Sequence, residues 1–205
     1  MPPDALGVRV AAVILAAGRS SRMGAHKPAL ELDGKPLLRH VLDAADAVGF
    51  ADVVVVAGAC ADQTRALCAG ATARVAVNAR FAEGLSTSLQ TGLRALADDM
   101  DAAMIFLADM PDVGPALIRR MIAAFDPAAR AIVVPTHEGR RGHPVLWARA
   151  FFPALLSRTT GDCGARRLIG EFARRVHEIE ADDAGVLTDL DTPQDWARRR
   201  FSAGV

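Results

Sequence analysis

Five short runs of nearly unbroken apolar residues, at positions 8–15, 52–57, 73–77, 103–107 and 131–135, limit what this chain can fold into. A strand with one face in water alternates polar and apolar residues. DVVVVA at 52–57 does not alternate, so both of its faces must be covered. The intervening segments supply the cover, because 36–48, 62–68, about 85–97 and about 115–125 carry apolar residues at helical spacing. Strand, helix, strand, helix in that order predicts a mostly parallel sheet between two helical layers, a three-layer α/β/α arrangement. Helix starts are marked by Pro36 after the turn pair Asp33-Gly34, and by Asp112 or Gly114 ahead of Pro115. After residue 135 the rhythm changes: THEGRRGHPVLW reads as a hairpin-like excursion, and a last helix is expected from Pro193.

A chain of 205 residues can bury one sizeable core, so a single domain over 1–205 is expected. Twenty-four Lys and Arg balance 24 Asp and Glu without a basic run, which argues against nucleic-acid and membrane-surface partners and for a small ligand. The three cysteines, Cys60, Cys68 and Cys163, show no CxxC spacing, so neither a disulfide framework nor a structural zinc site is indicated. With no signal-like start and no apolar run of the roughly 20 residues that span a bilayer, a cytoplasmic location is expected.

A parallel sheet of this kind binds ligands beyond the carboxyl ends of its strands. Gly18 and its cationic loop follow the first run, Gly58 the second, Asn78 the third and Asp109 the fourth. The loop crowds Arg19, Ser20, Ser21, Arg22 and Met23 between Gly18 and Gly24, with Lys27 close behind. Its spacing is neither GxxxxGK[ST] nor GxGxxG. Backbone N–H groups with Arg22 and Lys27 suit a polyphosphate, although a glycine-rich turn with solvated arginines has the same composition. Asp109 ends an apolar strand in FLADMP, where it could serve as a turn or capping acid or as a metal ligand. A phosphate loop and a strand-end carboxylate on one sheet edge are the two halves of a magnesium–nucleotide site, since Mg²⁺ takes one or two carboxylates and completes its octahedron with phosphate oxygens and water.

LAAGRSSRMGAHK, NARFAEGLSTSLQTGL, FLADMP, RRGHPV, GDCGAR and DLDTPQD, in that order, resemble the MobA-like nucleotidyltransferases, and most closely the molybdenum-cofactor cytidylyltransferases, over roughly residues 9–198. The first motif belongs to the whole superfamily, whereas RGHPV followed by GDxGAR is narrower. The resemblance implies a single-domain, Rossmann-like (GT-A-like) fold. The implied reaction transfers CMP from CTP to the terminal phosphate of molybdenum-bound molybdopterin, releasing pyrophosphate, with Mg²⁺ as the metal. It assigns catalysis to Arg22, Lys27 and Asp109, and nucleotide binding to these three with Leu15, Ala16, Ala17, Gly18, Arg19, Asn78, Gly84, Ser86 and Ser88. The metal falls to Asp109 and Asp191, with Asp189 as the rival of Asp191, although either acid could instead cap a helix ahead of Pro193. The acceptor falls to Arg141, His143, Asp162 and Arg166. Related guanylyltransferases usually carry LAGG where this chain has Leu15-Ala16-Ala17-Gly18, which favours CTP over GTP. The implied partners are CTP, the molybdenum–pterin cofactor and, as recipient, a molybdenum hydroxylase or its maturation chaperone.

Simpler readings stand beside several of these assignments. Ser86 could cap the helix that starts near Leu85, and Asp162 with Arg166 could be a capped helix start and a surface arginine. Cys163 has no adjacent acid–base pair in sequence, and Met23 and Trp147 read as packing residues. Two other functions compete with the cytidylyltransferase: a sibling enzyme that uses another nucleotide or a sugar or alcohol phosphate acceptor, and a non-catalytic accessory protein for a molybdenum hydroxylase. A complete metal–triphosphate constellation argues against the accessory role.

Overall fold

The computed structural model describes residues 7–18 and 26–190. The first strand, β1 (Val10–Ala16), is buried along its whole length. After two short strands, β2 (Glu31–Leu32) and β3 (Lys35–Pro36), come α1 (Leu37–Val48), β4 (Asp52–Ala57), α2 (Ala61–Leu67), β5 (Arg74–Val77), α3 (Leu85–Ala95), β6 (Ala102–Leu107) and α4 (Pro115–Ala123). The remainder is β7 (Ile132–His137), β8 (Arg140–Arg141), β9 (Val145–Ala148), α5 (Phe152–Arg158), α6 (Arg166–Glu171) and β10 (Val176–Glu180). The main sheet has the order β10-β7-β9-β6-β1-β4-β5, with β8 paired to β7. β1 runs parallel to both β4 and β6, and β9 lies antiparallel between β6 and β7.

Alternate residues of the continuous apolar strands feed two cores, as burial on both faces requires. Val10, Ala12 and Ile14 of β1 pack with Leu38, Val41 and Leu42 of α1 and Ile118 and Met121 of α4. Val13 and Leu15 join Leu89 and Leu93 of α3, Leu155 of α5 and Leu168 of α6. Trp147 is buried in this second core, the packing role its sequence setting suggested. The fold is therefore the expected α/β/α sandwich, and no helix among the described residues is long and apolar enough to cross a membrane.

Several boundaries differ from the sequence expectation. β1 begins at Val10 rather than at residue 8, because the backbone N–H of Arg9 donates to the carboxylate of Asp101 at 2.8 Å. α3 stops at Ala95 rather than 97, since Leu96 is extended and the N–H of Ala97 donates to Asp52 Oδ2 at 3.1 Å. Pro36 is the residue before α1 rather than its first turn. The excursion at 136–147 is confirmed as the β7–β8 hairpin followed by β9, while the helix expected from Pro193 lies outside the described residues.

Gly92 lets α3 sit directly on the sheet. A Cβ there would fall inside contact distance of Val13 Cγ1 and 3.0 Å from Val56 Cγ2. Both neighbours are buried, β-branched strand residues with little rotamer freedom. Replacing a helical glycine by alanine ordinarily gains about 1 kcal/mol. Overpacking a tight core costs about 1–3 kcal/mol, so Gly92→Ala is expected to lower stability in a denaturant titration. An increase would show that α3 is free to lift off β1 and β4.

Candidate active site at the carboxyl ends of the central strands

From β1 the chain moves outward to β4 and β5 on one side, then returns to β6 on the other. This reversal makes the β1–β6 boundary a topological switch point, and doubly wound sheets hold their ligands in a crevice beyond the carboxyl ends of the strands there. The N–H of Ala108 donates to the carbonyl of Leu15 at 3.1 Å, which keeps the two strand ends together up to Asp109. On the other flank, a Cβ on Gly58 would lie 2.7 Å from the Ala17 carbonyl oxygen, so β4 can end this close to β1 only with glycine. Leu15, Ala16 and Ala17 are buried and Gly18 is exposed at the rim. Arg19 and Arg22 lie outside the described residues.

Lys27 reaches back across this crevice. Its Nζ donates to Asp109 Oδ2 at 2.6 Å, with the two side chains 12% and 25% exposed. An ammonium and a carboxylate drawn from positions 82 apart in sequence thus meet at the switch point. Behind them the N–H of Leu190 donates to the Asp109 carbonyl at 3.2 Å, and Leu190 is fully buried against Leu32 and Leu37. This docks residues 189–190 beside Asp109. Asp189 is exposed there, whereas Asp191 lies outside the described residues.

On the far side of the crevice, Asn78 is 3% exposed and its amide nitrogen donates to Thr87 Oγ1 at 2.9 Å and Ser88 Oγ at 3.0 Å. Its Oδ1 accepts from the N–H of Arg80 at 2.9 Å. Asn78 spends its amide hydrogens inside the fold, clamping the end of β5 to the first turns of α3. Ser86 and Ser88 are buried in that helix, and Gly84, at φ 113°, precedes it. Ser86 does not cap α3. Asp162 does so from a distant segment, its Oδ1 accepting from the N–H of Leu85 at 3.2 Å. A Cβ on Gly84 would meet the Gly161 carbonyl carbon at 2.5 Å, so GLSTSL and GDCGAR are packed together.

His143 lies within electrostatic reach of both Asp109 and Arg166, the first residue of α6. Burial pushes its imidazole below the usual histidine range; the Asp109 carboxylate opposes that shift and the Arg166 guanidinium adds to it. Arg141 is engaged elsewhere, its Nε donating to Glu178 Oε1 of β10 at 2.6 Å. The structure thus gathers Lys27, Asp109, His143 and Arg166, places Asp162 at the head of α3, and leaves Arg141 on the sheet edge. Thr87 escaped the sequence reading: its hydroxyl, bridging Asn78 and the Gly84 carbonyl at 2.9 Å, carries no signal in a run of Ser and Thr. The packing of Gly142 against the Val186 backbone and of Gly185 against Asp112 was equally silent in sequence.

Among the described residues no group of three or more His, Cys, Asp or Glu side chains could hold a metal on its own. Asp109 offers a hard oxygen donor at an accessible strand end, which fits a cation such as Mg²⁺ that draws most of its shell from phosphate oxygens and water. The set does not fit a closed zinc site.

A mostly parallel sheet with a lysine–carboxylate pair at its switch point defines a doubly wound α/β protein with a ligand site beyond its strand ends. Residues 12–178 match the MobA-like NTP transferase domain, and the chain belongs to that family. It is 29% identical over 198 residues to a Paenarthrobacter nicotinovorans protein named nicotine blue oxidoreductase, covering 92% of this chain and 95% of that one. It is 31% identical over 207 residues to the purine catabolism protein PucB of Bacillus subtilis, covering 93% and 96%. The crystal structure of Rv0371c from Mycobacterium tuberculosis superposes with a TM-score of 0.83 at 31% identity, over 94% of this chain and 97% of that one. A manganese complex of the same protein superposes at 0.77 with 30% identity, over 97% and 100%.

The half-buried His143 makes stability depend on pH. Its folded pKa lies below the ordinary 6.5, so the unfolded chain takes up its proton first as pH falls. The contribution of the neutral imidazole is complete above about pH 6.5 and is lost as pH drops through the folded pKa. The thermal midpoint should fall on acidification from about pH 7.5 to 5.5, and less steeply in His143→Gln. Equal slopes would mean that His143 is solvated in solution.

Proposed function

We propose that the protein transfers CMP from CTP to the terminal phosphate of the molybdenum–pterin cofactor, releasing pyrophosphate. The observation that carries this reading is the Lys27–Asp109 ion pair at the switch point, in a chain of the MobA-like NTP transferase family. The nucleobase and acceptor rest on the sequence resemblance: Leu15-Ala16-Ala17-Gly18 for cytosine, RGHPV and GDCGAR for the pterin phosphate.

Attack of a phosphate on the α-phosphorus brings two anions together, so catalysis consists mainly of neutralising charge and holding the groups in line. Lys27, Arg22 and the backbone N–H groups after Leu15 would bind the triphosphate and stabilise the departing pyrophosphate. Gly84, Ser86 and Ser88, held by Asn78, would form the wall beside the nucleoside. Arg166 and His143 would receive the acceptor phosphate next to Asp109, while Asp162 would fix the head of α3 that faces it. The attacking phosphate is already ionised near neutral pH, so no side chain has to remove a proton. Asp109 and an acid of the DLD segment, Asp191 or Asp189, would hold a divalent cation, Mg²⁺. When bound, that cation screens the phosphate charges from one another.

The name of the P. nicotinovorans relative suggests a redox activity as the second reading. The loop after β1 lacks GxGxxG, the fingerprint by which many such proteins seat a dinucleotide, and this favours the transferase. The experiment is pyrophosphate release from CTP and the molybdenum cofactor by wild type and Asp109→Asn, with melting curves of the same preparations. The variant is expected to fold and to lose about 10²- to 10³-fold in turnover. Retention of more than about a third of wild-type turnover would remove Asp109 from the reaction. Pyrophosphate release with a sugar or alcohol phosphate in place of the pterin would reassign the acceptor.

A further inference from the structure

We infer that His26 is a positioning residue for Lys27, holding the end of the loop in a strap across the mouth of the crevice. The inference rests on the nucleotide reading above for its functional consequence, but not for its geometry.

His26 is the first described residue after the loop. Its Nε2 lies 3.2 Å from the hydroxyl of Thr64 on α2, a side chain that is fully buried. Thr64 Oγ1 donates its own proton to the Cys60 carbonyl at 3.1 Å, so toward His26 it can only accept. That sets the tautomer: Nε2 carries the hydrogen. Burial also lowers the pKa of His26, which favours the neutral form of the ring.

The chain then turns tightly. The N–H of Ala29 donates to the His26 carbonyl at 2.9 Å, the N–H of Leu30 to the Lys27 carbonyl at 3.0 Å, and Pro28 is buried. Within this turn, consecutive side chains go to opposite banks. His26 is tied to α2, which follows β4, and Lys27 to Asp109, which follows β6. β4 and β6 flank β1 on its two sides, so the dipeptide spans the end of β1. A lysine carries several rotatable bonds and loses about 2 kcal/mol of side-chain entropy when fixed. Pinning its backbone through the preceding residue narrows where the ammonium can go. His26 makes its side-chain hydrogen bond to Thr64 rather than to a group of the proposed reaction. It acts through Lys27.

The chain has only two lysines, Lys27 and Lys35, which supplies an internal reference. Lys27 is 12% exposed, while Lys35 is 44% exposed and paired with Asp43 on α1. The test is the acetylation rate of Lys27 relative to Lys35, read by peptide mass spectrometry without nucleotide. The Kd of CTP with Mg²⁺ and the melting midpoint are measured on the same proteins. His26→Ala is expected to raise the relative rate of Lys27 several-fold and to weaken CTP by about tenfold to a hundredfold, the size of one displaced charge-assisted hydrogen bond. His26→Gln, whose amide nitrogen can reach the place of Nε2, should restore both. Thr64→Val, which removes the same bond from the buried side at equal volume, should reproduce the effect of His26→Ala.

An unchanged relative rate in His26→Ala and Thr64→Val overturns the inference whatever the nucleotide does. If the relative rate rises but wild type takes up no nucleotide, the strap stands and the nucleotide reading fails. A lowered melting midpoint with unchanged acetylation and CTP affinity would make the bond purely structural, which also overturns the inference.

Discussion

Everything at the site depends on the reversal of direction at β1. This strand is buried on both faces and paired on both edges, and the chain leaves it through Ala17 to an exposed Gly18 beyond the carboxyl end. β4 and β6 end beside it, so Gly18, the flank at Gly58 and the carboxylate of Asp109 lie at one end of the sheet. The Lys27–Asp109 pair lies at that end of the sheet. At 2.6 Å and mostly out of water, it is a short charge-assisted hydrogen bond rather than a solvated surface contact. An arriving triphosphate would compete for the ammonium, and a divalent cation would compete for the carboxylate.

Two long-range clasps shape this end of the sheet. Asp162 holds the first turn of α3 across 77 residues of sequence, and Gly84 permits the close backbone approach that goes with it. Leu190 holds the returning segment to the Asp109 carbonyl, and the N–H of His143 donates to the Val186 carbonyl at 2.9 Å. Both clasps join motifs that are remote in sequence, so a change in one would be felt by the other.

The central strands were legible because burial on both faces leaves a plain signature, and the boundaries of β4 came out as read from DVVVVA. β10 left no such signature. As an edge strand, VHEIE is half exposed and too polar and too short to show strict alternation, so it resembles a loop in composition. β9 was read only as part of a hairpin-like excursion, and its antiparallel insertion between β6 and β7 was not legible, because pairing direction is set by connections rather than by composition. At the site, Lys27 and Asp109 were legible from residue type and strand position. Their meeting was a consequence of topology. The role of Asp162 as the cap of α3 and that of His26 against Thr64 had no local signal, since each depends on a partner from another element.

The central claim is that Lys27 and Asp109 form the seat of a metal-bound triphosphate. Calorimetric titration of CTP into wild type and Lys27→Met, each with and without Mg²⁺, tests it most directly. Wild type should bind more tightly with Mg²⁺ than without. Lys27→Met should weaken the Mg²⁺-dependent binding by about tenfold or more, equivalent to at least 1.4 kcal/mol, while retaining its fold. Equal CTP affinity in the two proteins, or an affinity indifferent to Mg²⁺, would contradict the account.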